Sequence, residues 1–291
     1  MTSTAVLQTP ADAGQLDAGQ LEEHAHRVRE HIVTMCAGAA GGHAGGSLSL
    51  VEILTVLYFR VLRVDPERPH APDRDRLVLS KGHGGIGLYA VLAERGFFAP
   101  GKLAEYGRLG SPFMAHPNPA IPGVEMPTGS LGHGLSLGIG FALDAKLAAS
   151  GRRCFVVLGD GELQEGSNWE AAMAASTLGL DQLVAVVDRN GMQITGPTES
   201  VVCLEPLADR WRSFGWAVCE VDGHDLPALS AALSEIPRVP GKPTVVIART
   251  VKARGLPYVE GRAQSHFVTL GERQLQRALG ALRAGRLEQG T

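Results

Sequence analysis

The chain has 291 residues, with 27 Lys and Arg against 30 Asp and Glu for a net charge of −3, a balance without the basic footprint of a nucleic-acid-binding protein. Hydrophobic residues make up 44%, ample for a large core, yet no apolar run approaches the roughly 18 residues of a membrane helix. Neither nucleic acid nor membrane is therefore an expected partner, and the 37 glycines favour a loop-rich α/β protein whose backbone approaches a ligand closely.

Residues 1–20 show little periodicity and no cationic start before an apolar run, so a disordered tail is expected rather than a secretory signal. Leu21–Cys36 reads as a first helix with Val28, Ile32, Val33 and Met35 apolar. The glycine-rich segment 37–46, which contains His43, reads as a flexible loop before a second helix over Ser49–Leu62. Arg76–Ser80 is a short strand and Gly85–Arg95 the helix after it. Residues 107–132 are dense in Pro and Gly and predict a long irregular stretch, the kind that within a compact domain is functional or disordered. Leu135–Ala149 reads as an apolar, buried helix.

The apolar runs Phe155–Leu158 and Leu183–Val187 have the pattern of buried parallel strands, with Glu170–Leu180 as the crossover helix between them. A helix near Leu207–Phe214, a strand Ala217–Val221, a helix Leu226–Leu233 and a strand Thr244–Ala248 follow. This alternation implies an α/β fold, a mostly parallel sheet with helices on both faces. With no repeat and no evident linker, residues 21–291 read as a single domain. Cys36, Cys154, Cys203 and Cys219 show neither a CxxC pair nor zinc spacing, and three sit among apolar residues; buried reduced thiols in a cytoplasmic protein are expected.

In such a βαβ unit the carboxyl ends of both strands lie side by side, where open α/β sheets bind ligands. Gly159-Asp160-Gly161-Glu162 ends one strand and Asp188-Arg189-Asn190 the next, which brings the Asp160 carboxylate and the Asn190 amide oxygen together. Two hard oxygens suit Mg²⁺, which also draws on phosphate oxygens and water. Four histidines, His43, His83, His116 and His133, stand in loops, all but His116 beside a glycine. Gly82-His-Gly84-Gly-Ile-Gly87 satisfies the dinucleotide fingerprint, but no acidic residue ends a second strand about twenty residues on.

Gly159-Asp-Gly-Glu-Leu-Gln-Glu-Gly166, Ser80-Lys-Gly-His83 and Thr128-Gly-Ser-Leu-Gly132 together resemble the transketolase family, over about residues 25–266. The resemblance implies the thiamine diphosphate-binding fold of the diphosphate-binding domain, with thiamine diphosphate and Mg²⁺ (or Ca²⁺ or Mn²⁺) as cofactors. It implies cofactor contacts from His83, Gly129, Ser130, Leu131, Gly159, Asp160, Gly161, Glu162, Asn190 and His266. The implied metal ligands are Asp160, Asn190 and the backbone carbonyl of Met192. His43, His83 and His116 match catalytic histidines, whose task would be to donate hydrogen bonds to a developing alkoxide and to move protons as a C–C bond breaks. An imidazole does both near neutral pH. His133 stands where many transketolases have Gln, and Glu165 matches an acid at the subunit interface. Lys252-Ala-Arg-Gly255 resembles a Lys-Gly-Lys-Gly segment, and Gln264-Ser-His266-Phe falls where Trp-His-Gly is usual.

Transketolases normally carry further domains after this one, including the pyrimidine-binding domain whose carboxylate activates the cofactor. The expectation is therefore the N-terminal subunit of a two-component transketolase, joined to a C-terminal subunit in an α₂β₂ assembly. It would transfer a two-carbon ketol unit from a ketose, or ketose phosphate, to an aldehyde. One alternative is half of another thiamine enzyme, such as a 2-oxo-acid dehydrogenase α-subunit; Ser80–His83 and His116-Pro117 argue against it. Another is a non-catalytic binding or regulatory subunit, against which intact Asp160, Asn190, His43, His83 and His116 speak.

Overall fold

Runs of Val, Leu and Ile with no polar interruption build the centre of the molecule. The computed structural model describes residues 16–289. Its strands are β1 (Arg76–Leu79), β2 (Cys154–Gly159), β3 (Leu183–Arg189), a small antiparallel hairpin of β4 (Met192–Gln193) and β5 (Gly196–Pro197), then β6 (Ala217–Asp222) and β7 (Thr244–Arg249). Five of them form one sheet in the order β1-β2-β3-β7-β6, and every pair in it is parallel. β2 and β3 are buried at every position. That is why they read as continuous apolar runs rather than as an alternating pattern.

The helices are α1 (Ala18–Met35), α2 (Ala44–Leu48), α3 (Val51–Val56), α4 (Gly85–Arg95), α5 (Gly134–Leu147), α6 (Gly166–Thr177), α7 (Thr198–Val201), α8 (Leu207–Ser213), α9 (Leu226–Ser234) and α10 (Glu272–Gln289). Phe155, Val157, Val184, Val186, Val246 and Ala248 face the core made with α1–α4, α9 and α10. Their chain neighbours Val156, Leu158, Ala185, Val187, Val245 and Ile247 face the opposite core, made with α5, α6 and α8. Helices thus cover both faces of the sheet, as expected.

Several boundaries differ from the sequence expectation. Residues 1–15 of the expected tail lie outside the described residues, and residues 18–20 belong to α1. Asp17 caps this helix: its Oδ1 accepts from the Gln20 N–H at 2.8 Å, while the Asp17 N–H donates to Gln20 Oε1 at 2.9 Å. This reciprocal capping box starts the helix one turn early. The expected helix Ser49–Leu62 is α3 followed by a π-turn at Leu57–Val61, and part of the supposed flexible loop is the buried helix α2. Gly45 of α2 lies so close to Ser265 that a Cβ there would meet Ser265 Oγ at 2.6 Å. Tertiary packing overrides glycine's poor helix propensity. Helix α10, not anticipated, lies on α1 and turns Leu275, Ala278, Leu279 and Leu282 toward the core.

Two further expectations need correction. Helix α5 is buried on one side only, with Ser136, Asp144 and Lys146 exposed, and Leu147 near its end is 80% exposed. Of the four cysteines, all free, Cys36 and Cys154 are buried, Cys219 on the edge strand β6 is half-buried and Cys203 is exposed. Among the described residues no helix is long and apolar enough to cross a membrane.

Where α5 crosses β2, a Cβ at Gly138 would meet Val156 Cγ2 at 2.3 Å, whereas one at Gly140 would meet nothing within 4 Å. Gly140→Ala should therefore stabilise the chain by about 0.5–1 kcal/mol through helix propensity. Gly138→Ala should reverse the sign and destabilise by about 1–3 kcal/mol through overpacking. Urea unfolding of the two variants checks both signs.

Candidate active site

Because the strands run parallel, the carboxyl ends of β1, β2, β3 and β7 share one edge of the sheet, and their loops meet above it. Asp188, the penultimate residue of β3, is 0% exposed and ion-pairs with Lys81, 1% exposed, just after β1. It also accepts from Ser49 Oγ at 2.7 Å, from Asn190 Nδ2 at 3.1 Å and from the Thr250 hydroxyl. Burial pushes this carboxyl up in pKa, but Lys81 and the two hydroxyls hold it below its usual value, so it stays charged.

Asp160 follows β2 and is 2% exposed. One carboxylate oxygen accepts from the Gly161 N–H at 2.8 Å; the other accepts from the Gly191 N–H at 2.6 Å and Arg189 Nη1 at 3.1 Å. Burial and then the nearby Asp188 charge raise its pKa, so the carboxylate would gain from a cation. Asn190 Oδ1 accepts from the Met192 N–H at 3.1 Å, and the Met192 carbonyl accepts from Lys252 Nζ at 3.3 Å. The Gly191 turn (φ +75°) thus gathers Asp160, Asn190 and Met192 at one place.

The loop holding Gly129, Ser130 and Leu131 lies across the end of β1. A Cβ at Gly82 would meet the Gly129 nitrogen at 2.6 Å, and Thr128 Oγ1 donates to the Leu79 carbonyl at 2.6 Å. Gly129, at φ +143°, lies against the His116 ring: a Cβ there would meet His116 Cδ2 at 2.7 Å. Ser130 is exposed and Leu131 half-buried. Glu162, expected to touch the cofactor, is 2% exposed. Its carboxylate accepts from the Gly132 N–H at 3.0 Å, the Gly159 N–H at 2.9 Å and the Ser80 hydroxyl, tying this loop to β1 and β2.

Four histidines converge. His43 lies 5.9 Å from His83, 5.8 Å from His116 and 5.3 Å from His266 between ring centroids, and His83 lies 5.3 Å from His266. The His83 ring rests on Gly46, where a Cβ would come within 3.2 Å of it. His133 is exposed, with Nδ1 3.2 Å from the Leu131 carbonyl, and has no part in these ring contacts. The dinucleotide fingerprint at Gly82–Gly87 does lie on a strand–turn–helix, but the next strand begins only at Cys154. That leaves no compact βαβ unit of about 30 residues to read it.

The residues fit a thiamine diphosphate with its metal. Among the described residues no group of three or more His, Cys, Asp and Glu is built to hold a metal. A carboxylate, an amide oxygen and a carbonyl instead suit a hard cation that takes its remaining ligands from phosphate and water. Lys252 is 2% exposed, and among the described residues its hydrogen bonds reach the Met192 carbonyl and, at 3.2 Å, His266 Nδ1. Burial and the nearby Lys81 charge lower its pKa to about 8. A buried cation with neutral hydrogen-bond partners favours an incoming anion. His43 Nδ1 is likewise buried, with no hydrogen-bond partner among the described residues. Lys81 and Asp188 were given no role by the sequence; their signal was a charge at the end of an apolar strand, where burial demands a partner.

Burial, followed by neighbouring His116 and Lys252, lowers the pKa of His43; burial and then Lys81 put that of His83 well below its usual value. Burial and then Lys252 take His266 down to about 4. All three are neutral imidazoles at neutral pH. The unfolded chain binds their protons below about pH 6.5, whereas the folded chain resists, so stability falls as pH drops from 6.5 toward 4. His266→Gln should flatten that fall by up to about 1.4 kcal/mol per pH unit. Urea unfolding at pH 5 and 6.5 checks it, and an unchanged slope would reject a neutral, half-buried His266.

Residues 22–283 match the family described as transketolase, thiamine diphosphate binding domain. The chain is 45% identical over 253 residues to an apulose-4-phosphate transketolase subunit from Actinobacillus succinogenes, covering 86% of this chain and 91% of that one. It is 41% identical over 263 residues to a 6-deoxy-6-sulfo-D-fructose transketolase subunit of Clostridium sp., covering 90% and 96%. The crystal structure of transketolase from Campylobacter jejuni superposes with a TM-score of 0.85 at 32% identity. That match covers 92% of this chain but 43% of the solved one, so the chain spans less than half the length of that enzyme. With its parallel sheet, its Asp160–Asn190 edge and these matches, the chain belongs to the transketolase family, in its thiamine diphosphate-binding domain.

Proposed function

We propose that this chain is the cofactor-binding subunit of a two-component transketolase, transferring a two-carbon ketol unit from a ketose to an aldehyde with a separate C-terminal subunit. The observation that carries this reading is the single edge that unites Asp160, Asn190 and the Met192 carbonyl with the buried cation Lys252 and four converging histidines. Asp160, Asn190 and Met192 would hold Mg²⁺, and Lys252 and His266 the diphosphate. Gly129, Ser130 and Leu131 would line the cofactor, with Gly159 and Gly161 admitting it closely. When bound, thiamine diphosphate supplies the electron sink for C–C cleavage. His43, His83 and His116 would donate hydrogen bonds to the substrate oxygens and carry protons at them.

Two observations support a partner subunit. Glu162 is engaged by Ser80, Gly132 and Gly159 and is not free to activate an aminopyrimidine. Helices α5 and α6 leave Leu147, Met173 and Leu178 80%, 50% and 41% exposed, an apolar surface suited to burial in an assembly. Glu165 stands exposed at the start of α6, and an α₂β₂ arrangement would place it between sites. The relatives named above are themselves called subunits, and their names cite a sulfonated and a phosphorylated sugar. A ketose with an anionic end group is accordingly the proposed donor or acceptor class. Four free cysteines accord with a cytoplasmic location.

Calorimetry of the chain should show Mg²⁺-dependent binding of thiamine diphosphate. Asp160→Ala should weaken it beyond the roughly 10–100-fold loss typical of a residue that merely supports a metal ligand; an unchanged affinity would move the metal elsewhere.

Ketol transfer should be negligible for the chain alone and appear when a cognate C-terminal subunit is added. Strong activity from the purified chain by itself would sink the two-component reading.

A further inference from the structure

We infer that Glu52 and His224 form a positioning pair that holds the Val251–Lys252 backbone in place and, through it, sets the Lys252 ammonium at the diphosphate site. The inference rests on the assignment of Lys252 proposed above, and neither residue of the pair touches the site itself.

His224 lies in the turn between β6 and α9. Its Nε2 is 2.8 Å from the Val251 amide nitrogen, and its Nδ1 is 3.0 Å from Glu52 Oε2. A backbone amide only donates, so Nε2 is the bare nitrogen; a carboxylate only accepts, so the ring proton is on Nδ1. Both ring nitrogens are thus committed, and the ring has one tautomer and one orientation. Glu52, on α3 and 7% exposed, is held in turn by Arg29 of α1 through its other oxygen. Burial pushes the Glu52 carboxyl up, but Arg29 and His224 bring it down to about 2, so it is a fixed negative charge.

The segment so held is under constraint. Thr250 donates its N–H to the Arg189 carbonyl at 3.1 Å, and Ala253 donates to the Gly45 carbonyl at 2.9 Å. With the Val251 bond, these tie the segment to β3, to the β6–α9 turn and to α2. Ala253 is fully buried at φ +62°, a left-handed conformation that is costly for a residue with a Cβ. Such strain persists only where the surroundings over-determine it. The turn carrying His224 is seated directly on the segment: a Cβ at Gly223 would meet Thr250 Cγ2 at 2.4 Å. Glu52 and His224 also line a cleft of about 540 Å³ with Arg29, Arg254 and Leu282, and that cleft shares no residue with the histidine cluster. A bond from this second cleft therefore sets the geometry of the first.

The test uses the full chain with His224→Leu and His224→Gln, measuring Mg²⁺–thiamine diphosphate affinity by calorimetry and, without cofactor, amide exchange over residues 250–253. Leucine leaves the Val251 N–H without an acceptor; affinity should fall about tenfold and exchange should quicken. Glutamine offers an oxygen to Val251 and an N–H to Glu52, so affinity should stay within about threefold of the parent and protection should persist. A leucine variant with parental affinity and exchange overturns the inference, as does a glutamine variant that loses as much as leucine. Should the leucine variant fail to fold, the glutamine variant decides by the same two readings. A parent chain that binds no cofactor overturns the assignment of Lys252, while unchanged exchange in the leucine variant separately overturns the pair.

Discussion

Asp188 and Lys81 form a charged pair with essentially no solvent contact at the carboxyl edge of the sheet. Taking two charges out of water is costly, and removing one partner of such a pair typically costs about 3–5 kcal/mol because the other is left buried and uncompensated. Here the carboxylate is also bonded by Ser49, Thr250 and Asn190. Four pieces of chain that are distant in sequence are thereby locked to one atom group: the turn after β1, the α2–α3 link, the loop after β3 and the loop after β7. Asn190 owes its orientation to this centre, since its amide N–H₂ donates to Asp188 and its oxygen is left for the Met192 turn. The orientation of Asn190, one of the proposed metal ligands, is a consequence of that buried pair.

Around the pair the electrostatics are incomplete. Lys81 has its counter-ion, whereas Lys252 makes no ion pair among the described residues, and burial has neutralised the imidazoles beside it. Asp160, raised in pKa by burial and by Asp188 although Arg189 lies 3.1 Å from one oxygen, has a second oxygen bonded, among the described residues, only by the Gly161 N–H, and Lys252 has neutral partners. The proposed magnesium diphosphate would satisfy both at once. Binding of this kind would stabilise the folded chain by mass action, so folding and the proposed cofactor capture would be linked through the same few groups.

Much of this was legible in the sequence because it depends on local pattern. The runs Phe155–Leu158 and Leu183–Val187 announce buried strands, and the residues just beyond each run must stand at the ligand edge, which places Asp160 and Asn190. Resemblance supplied the histidines, and the structure brings His43, His83, His116 and His266 together. The features that stayed hidden are long-range. The bonds that bury the Glu162 carboxylate could not be seen, because its partners Ser80 and Gly132 are far along the chain. Glycines at 45 and 46 spell a loop by propensity, yet close approach to Ser265 and His83 makes them helical. The capping pair Asp17 and Gln20 was readable as a motif and shows how a cap can outweigh a weakly periodic stretch.

The loop at 128–134 joins the two halves of the functional argument. At one end Gly129 lies under His116; at the other Gly134 begins α5, the helix that leaves Leu147 exposed near its end. Between them the Gly132 N–H is held by Glu162 and its carbonyl accepts from Ser167 Oγ of α6 at 2.9 Å. A Cβ at Gly134 would fall 2.2 Å from Ser80 Oγ, so the helix start is pressed onto the end of β1. The path from the proposed partner face to the histidines is therefore only a few residues long and is bonded at nearly every step. A partner that covered α5 and α6 would bear on the same rigid loop that shapes the cofactor's surroundings, and the site would be completed by contact at its edge, with no need for a rearrangement at its centre.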